Sequence, residues 1–298
     1  MNNRYKGIFY MLLAALGFSL MGGSAKLLRG SFNTGQLVFF RNLVGAIALA
    51  VALIAKPPVN KGGKFHLLVF RGFMGTVALY TLLYCILHLP LSTAMTYNLS
   101  SAVFIALFSF LLFREYHGPF VLLAVVVGFL GMLLVYKPNM HFHWYYHAMG
   151  LLSGIVSAIA YITLGKLAPY YDPRVIVSSF IFCGVLLPTL FMMTGSLTHI
   201  QSDDFFFIQW RWPKGKEWMY VTWLGLAALF GQYFVTKAYG ADKAGIVSVF
   251  GYANIIFSVF IGMALGDAFP DIISWTGICC IIFSGIIISL VKSRLESD

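Results

Sequence analysis

Thr76, Tyr80, Tyr84 and His88 stand four residues apart in an otherwise apolar stretch, a spacing that puts all four side chains on one face of a helix. The pattern recurs in Thr93, Tyr97 and Ser100, in Ser153, Ser157 and Tyr161, in Gln232 and Thr236, and in Gly251, Asn254 and Ser258, with Tyr252 beside them. Hydroxyls, phenols and amides on one face can hydrogen-bond a solute, and in a helix surrounded by lipid such a face must turn toward protein or water. Serine and glycine at these positions also serve ordinary helix packing, because small residues let transmembrane helices approach closely. The larger groups, Tyr80, Tyr84, Tyr97, Gln232 and Asn254, point instead to the wall of a cavity. With Arg41, Ser100, Ser157, Tyr161, Thr236 and Tyr252, they form the candidate substrate-binding set.

Charge within the apolar stretches is one-sided: Lys26, Arg41, Arg71, Lys166 and Lys237 are basic, and no Asp or Glu lies well inside one. Lys26, Lys166 and Lys237 sit near the ends, where a long side chain can snorkel to water, and Arg71 can do likewise. Arg41, roughly 10 Å in at about 1.5 Å per residue, is harder to place so. It is the candidate for contact with a substrate carboxylate, against the alternatives of a helix brace or an outer gate. Proton or sodium coupling usually rests on an intramembrane carboxylate, so uncoupled exchange is open, as is coupling through Glu115, Asp242 or Asp267. The run His141, His143, Trp144, Tyr145, Tyr146 and His147 reads as an interfacial turn of amphipathic rings rather than a metal site, and no cofactor is implied.

These residues need elements to hold them. A chain of 298 residues with 60% hydrophobic and 10% charged residues has more apolar surface than one soluble core can hide. The net charge of +10 sits singly in loops between apolar runs, which fits membrane orientation and not nucleic-acid binding. At about 17 to 25 residues per span, helices are expected near 7–28, 34–55, 66–88, 91–113, 118–136, 148–168, 174–195, 218–239, 244–266 and 271–291. The first run is too long for a signal-peptide core and has no small-residue cleavage site, so it is expected to remain as a helix. Cys85, Cys183, Cys279 and Cys280 all fall in apolar runs without metal-ligand spacing.

The halves repeat. Leu12-Leu13-Ala14-Ala15, ending in Lys26, resembles Leu151-Leu152-Ser153-Gly154, ending in Lys166, at an offset near 140, and Arg114-Glu115 matches Gly266-Asp267 at 152. The change of offset lies in one connection, short at 56–65 and long at 196–217. The repeats are 1–138 and 147–292, five helices each, with a tail at 293–298. An odd number of spans per repeat inverts the second copy, the plan of many alternating-access carriers. Lysines and arginines favour both termini in the cytoplasm: Arg4, Lys6, Lys56, Lys61, Lys64, Arg114, Arg174, Lys243, Lys292 and Arg294 on that side outnumber Arg29, Lys137, Arg211, Lys214 and Lys216 on the other. Phe205, Phe206, Phe207, Trp210 and Trp212 of the long outer loop are expected in the interface. At the 152 offset Tyr80 matches Gln232 and Tyr84 matches Thr236, so both halves are expected to present polar groups to the same cavity.

Leu89-Pro90-Leu91-Ser92-Thr93-Ala94 leading to Arg114-Glu115, then Ala241-Asp242-Lys243-Ala244-Gly245 leading to Gly266-Asp267, together with Phe40-Arg41, resemble the EamA-type carriers of the drug/metabolite transporter superfamily. The resemblance implies an all-α membrane protein of ten transmembrane helices in two inverted five-helix repeats, both termini cytoplasmic, in a bacterial inner membrane. It also implies a cavity built by the first four helices of each repeat, and export of an amino acid or related metabolite. The helix-breaking proline that the family often carries midway through the fourth and ninth spans is missing; Ser100 and Tyr252 stand near its place, which puts a proline hinge in doubt. The fifth and tenth spans carry few polar groups and are expected to brace the repeats or to pack a homodimer. A membrane enzyme lacks its His-Glu-x-x-His or Gly-x-Ser-x-Gly motif here. A receptor or scaffold would not need matched polar stripes.

Overall fold

The computed structural model describes residues 3–59, 61–101, 103–105, 107–108, 119–136, 143–198, 210–241 and 250–295. Among them the chain is helical without strands: α1 Asn3–Leu27, α2 Thr34–Ala55, α3 Phe65–His88, α4 Leu91–Leu99, α5 Pro119–Tyr136, α6 Trp144–Leu167, α7 Pro173–Thr198, α8 Glu217–Ala241, α9 Ala253–Ala264 and α10 Ile272–Leu295. Six of these, α1, α2, α3, α6, α7 and α8, are long and apolar enough to cross a bilayer, and shorter apolar helices cover Ala253–Ala264 and Ile272–Ile287. In lipid a helix satisfies its own backbone, so what remains to be solved is its ends and its partners. Asn33 caps α2 by accepting the Gln36 amide at 2.9 Å. Pro90, which cannot continue α3, separates it from α4, and Pro119 and Pro173 start helices where no amide partner is needed.

The connections gather at two ends. At one, Lys61 N donates to Tyr170 O at 2.9 Å and the Arg174 guanidinium reaches Ala52 O at 3.2 Å, so the 56–65 and 168–173 connections meet. Arg174 also bonds Asp172 at 2.8 Å and holds that carboxyl below its usual range. At the other end Gln36 Nε2 donates to Arg211 O at 3.0 Å, and Trp210, Trp212 and Trp218 pack around Phe40. Trp210 and Trp212, expected in the interface, stand over the start of α2 and remain exposed on their outer side; residues 205–207 lie outside the described residues. Lys26 and Asp267 form an ion pair there, and Asp267 Oδ2 accepts the Leu91 amide at 3.1 Å. Lys26 is therefore paired across the molecule rather than snorkelling, because a carboxylate is within reach of its ammonium.

Side by side, α1 packs on α8 and α3 on α6; α2 packs on α7; α1 meets α9 and α6 meets α4; α5 and α10 lie together. The α1–α8 crossing is tight enough that a Cβ on Gly17 would stand 2.8 Å from Gly231 N. The fourth span breaks at Ser100 (φ −61°, ψ −11°), where Ser100 Oγ donates to Tyr97 O at 2.6 Å, and helix resumes at 101. The ninth breaks at Tyr252 (φ −64°, ψ −17°) between helical residues 251 and 253. Both breaks form without proline.

Candidate functional site

A cavity of about 160 Å³ lies between the halves, walled by α1, α2, α3, α4, α6, α7, α8 and α9, with Gly285 of α10 closing one side. Its lining runs along α1 from Met11 to Met21, along α3 from Arg71 to Leu82 and along α8 from Gln232 to Tyr239. The α8 stretch lies toward the end where 56–65 and 168–173 meet, while those of α1 and α3 are centred on their helices. Toward the opposite end the helices close: Leu91 and Met95 fill the space beside Gly22, and the Lys26–Asp267 pair lies beyond.

Of the candidate set, Arg41, Ser157, Tyr161, Gln232, Tyr252 and Asn254 line this cavity. The Gln232 amide makes no hydrogen bond among the described residues and is free for a ligand. Asn254 is partly committed, donating to Ala15 O at 2.9 Å and Ser19 Oγ at 3.0 Å, which ties α9 to α1. Ser157 Oγ accepts Asn98 Nδ2 at 2.8 Å, and Tyr161 lies against Tyr239 with ring centroids 5.7 Å apart. Gly285 is required by Tyr252: a Cβ there would stand 1.8 Å from the phenol oxygen.

The other five lie elsewhere. Tyr80 packs edge-on to Phe191, and Tyr84 joins His88 and Tyr146 in a ring stack toward the closed end. Tyr97 shares a hydrogen bond with His147 Nδ1 at 2.8 Å, and Ser100 bonds back to Tyr97 O. Thr236 Oγ1 donates to Gln232 O at 2.8 Å within its own helix. The expected pairing of Tyr80 with Gln232 in one cavity thus does not appear. The reason is the face of the helix: Leu79 and Leu82, on either side of Tyr80, line the cavity, while Tyr80 itself turns to Phe191 of α7. Glu115 and Asp242 lie outside the described residues.

Sequence reasoning missed Arg71, Asn98, Phe180 and Tyr239 as lining residues. Arg71 was legible as a charge six residues into α3, but it was expected to reach water; it is instead 2% exposed. Arg41 is 3% exposed, and its Nη1 donates to Asn42 Oδ1 at 2.8 Å. Phe180 on α7 lies beneath both, 4.9 Å from Arg41 Cζ and 5.3 Å from Arg71 Cζ. Among the described residues no carboxylate lines the cavity, so its field is positive and its hydrogen-bonding groups are amides, hydroxyls and guanidiniums.

Comparison with known proteins places this geometry in context. The signature of the EamA-like transporter family matches residues 5–137. An uncharacterized transporter of Helicobacter pylori (strain J99) is 30% identical over 295 residues, covering 95% of this chain and 94% of its own. The pseudopaline exporter CntI of Pseudomonas aeruginosa (strain UCBPP-PA14) is 26% identical over 287 residues, with 96% of each chain covered. A crystal structure of another protein, 19% identical, superposes with a TM-score of 0.64 over 97% of both chains, a likeness of fold alone.

Proposed function

The chain belongs to the EamA-like transporter family, and within that family we propose that it is a secondary transporter exporting an amino acid or related small metabolite across a bacterial inner membrane by alternating access. The observation that carries this is the cavity: both halves build it, hydrogen-bonding groups converge in it, and the Lys26–Asp267 pair lies beyond the packed helices at one end. An enzyme would need reacting groups set around a bound atom; the lining offers recognition groups instead. The CntI relative, an exporter by name, supports the direction.

Alternating access draws its support from the arrangement of helices. If α1–α5 and α6–α10 are equivalent, exchanging each helix for its counterpart turns α1–α8 into α6–α3, α2–α8 into α7–α3 and α1–α9 into α6–α4, while α2–α7, α4–α9 and α5–α10 map onto themselves. All of these pairs pack in the structure. The breaks at Ser100 and Tyr252 stand at the same 152 offset with nearly the same backbone angles. We therefore assign two inverted repeats, 1–138 and 147–292, with ten spans and both termini cytoplasmic. The cavity then faces the cytoplasm, and the Lys26–Asp267 end is the shut outer gate. A homodimer would pair the outward faces of α5 and α10, where Leu130, Leu133 and Phe283 are exposed.

The test is flux. Protein reconstituted in liposomes loaded with a bacterial metabolite extract is expected to release a small set of solutes faster than empty liposomes and faster than the Gln232→Ala variant. Release no different from both controls would remove the transport assignment.

A further inference from the structure

We propose that the cavity takes a substrate carrying two carboxylates, held between Arg41 and Arg71 over the Phe180 ring. The proposal deepens the transport assignment and rests on it only for the ligand's coming and going.

Both guanidiniums line the cavity and are almost wholly buried. Since both lie over one ring, their Cζ atoms are separated by at most the sum of the two distances to it, about 10 Å. Two like charges that close, out of water, repel, and neither has a carboxylate partner among the described residues. The ion pairs described there, Lys26–Asp267, Arg174–Asp172 and Arg211–Glu217, use other cations. Nor are the arginines satisfied by hydrogen bonds: Arg41 Nε and Arg71 Nε and Nη1 are buried without a partner. A shared aromatic face offsets part of the desolvation and must serve two charges here.

Bracing two repeats alike does not explain the pair. The offset counterparts of Arg41 and Arg71 are Ile181 and Trp223, so both charges belong to one half. An uncompensated buried cation is costly; two of them on one cavity are compensated when two anionic groups enter. A guanidinium fork matches a carboxylate through two parallel hydrogen bonds. A single carboxylate would leave one arginine as it is. The Phe180 ring against both arginines suits a carbon chain between the two charges, which inorganic phosphate lacks. The separation of at most about 10 Å between the two Cζ atoms confines that chain to a few carbons.

The test uses the purified full chain in detergent, following thermal unfolding by tryptophan fluorescence with succinate, glutarate or glutamate, against butyrate and glutaramide. The best dicarboxylate is expected to protect at a concentration about tenfold below butyrate, as a second charge-assisted contact requires, and glutaramide should not protect. Arg71→Gln and Arg41→Gln should each bring the dicarboxylate down to the level of butyrate, while Arg71→Lys keeps part of the gap. If the glutamine variants do not fold, the Lys variant and the discrimination by the unsubstituted protein decide. No protection by any dicarboxylate, equal protection by glutaramide, or a gap that survives Arg71→Gln overturns the proposal. Liposomes that release only neutral or cationic solutes would refute the two-carboxylate site and leave transport standing. Dicarboxylate protection without any flux would do the reverse.

Discussion

Removing the Asp267 carboxylate should open the outer end. In the structure Asp267 joins three elements, accepting the Leu91 amide at the start of α4, pairing with Lys26 at the end of α1, and following α9 directly. The two side chains are 10% and 16% exposed, so the pair is mostly but not wholly withdrawn from water. Deleting one partner of a fully buried pair costs about 3 to 5 kcal/mol; allowing for the residual exposure, Asp267→Asn should weaken the closed state by about 2 kcal/mol relative to an open one. That raises the open population about 30-fold. The readout is labelling of a cysteine at Leu28, which is fully buried at this end, by an impermeant maleimide from outside, in protein whose native cysteines are replaced. The labelling rate should rise by that factor, and Lys26→Met in the same background should recover most of the closure by removing the orphaned ammonium. An unchanged rate in Asp267→Asn would refute the gate.

Gln232→Ala should raise the KM for transport about tenfold, the loss of one ligand hydrogen bond that no protein group replaces, whereas Thr236→Ala should stay within about twofold because its hydroxyl is used inside its own helix. Initial rates in proteoliposomes measure both, and equal losses would contradict the placement. Gly285→Ala forces the Tyr252 ring toward the cavity and should lower unfolding free energy by about 1 to 3 kcal/mol; Tyr252→Phe in that background should restore part of it, and a Gly285→Ala protein as stable as its parent would show that the close approach is not needed. On intact cells an impermeant maleimide should label a cysteine at Lys214 but reach one at Lys61 only after permeabilisation; labelling of both from outside would refute the topology.

Much of this was legible in the sequence because lipid imposes its own rules. Apolar runs of spanning length marked where helices lie, and Pro90 marked the α3–α4 corner. The depth of Arg41 marked it as unusual, and it does line the cavity. Depth was misjudged for Arg71, since what holds it is Phe180, more than a hundred residues away on another helix. The Lys26–Asp267 pair likewise joins positions whose meeting no local pattern announces. Thr236 shows a different limit. Periodicity finds a polar face, but it cannot say whether a hydroxyl serves a solute or the carbonyl one turn back. Matching by repeat offset carried the same limit, because it pairs positions along the chain without fixing the face: Leu79 and Leu82 line the cavity and Tyr80 between them does not.

The measurement that bears most directly on the whole account is the accessibility of one cavity position from both sides. Ser157→Cys, in protein without its native cysteines, puts a thiol on the cavity wall. It should be labelled by an impermeant maleimide from the cytoplasmic face and, more slowly, from the outer face, with Asp267→Asn shifting the balance outward. Labelling from one face only, in the parent and in Asp267→Asn alike, would contradict alternating access through this cavity.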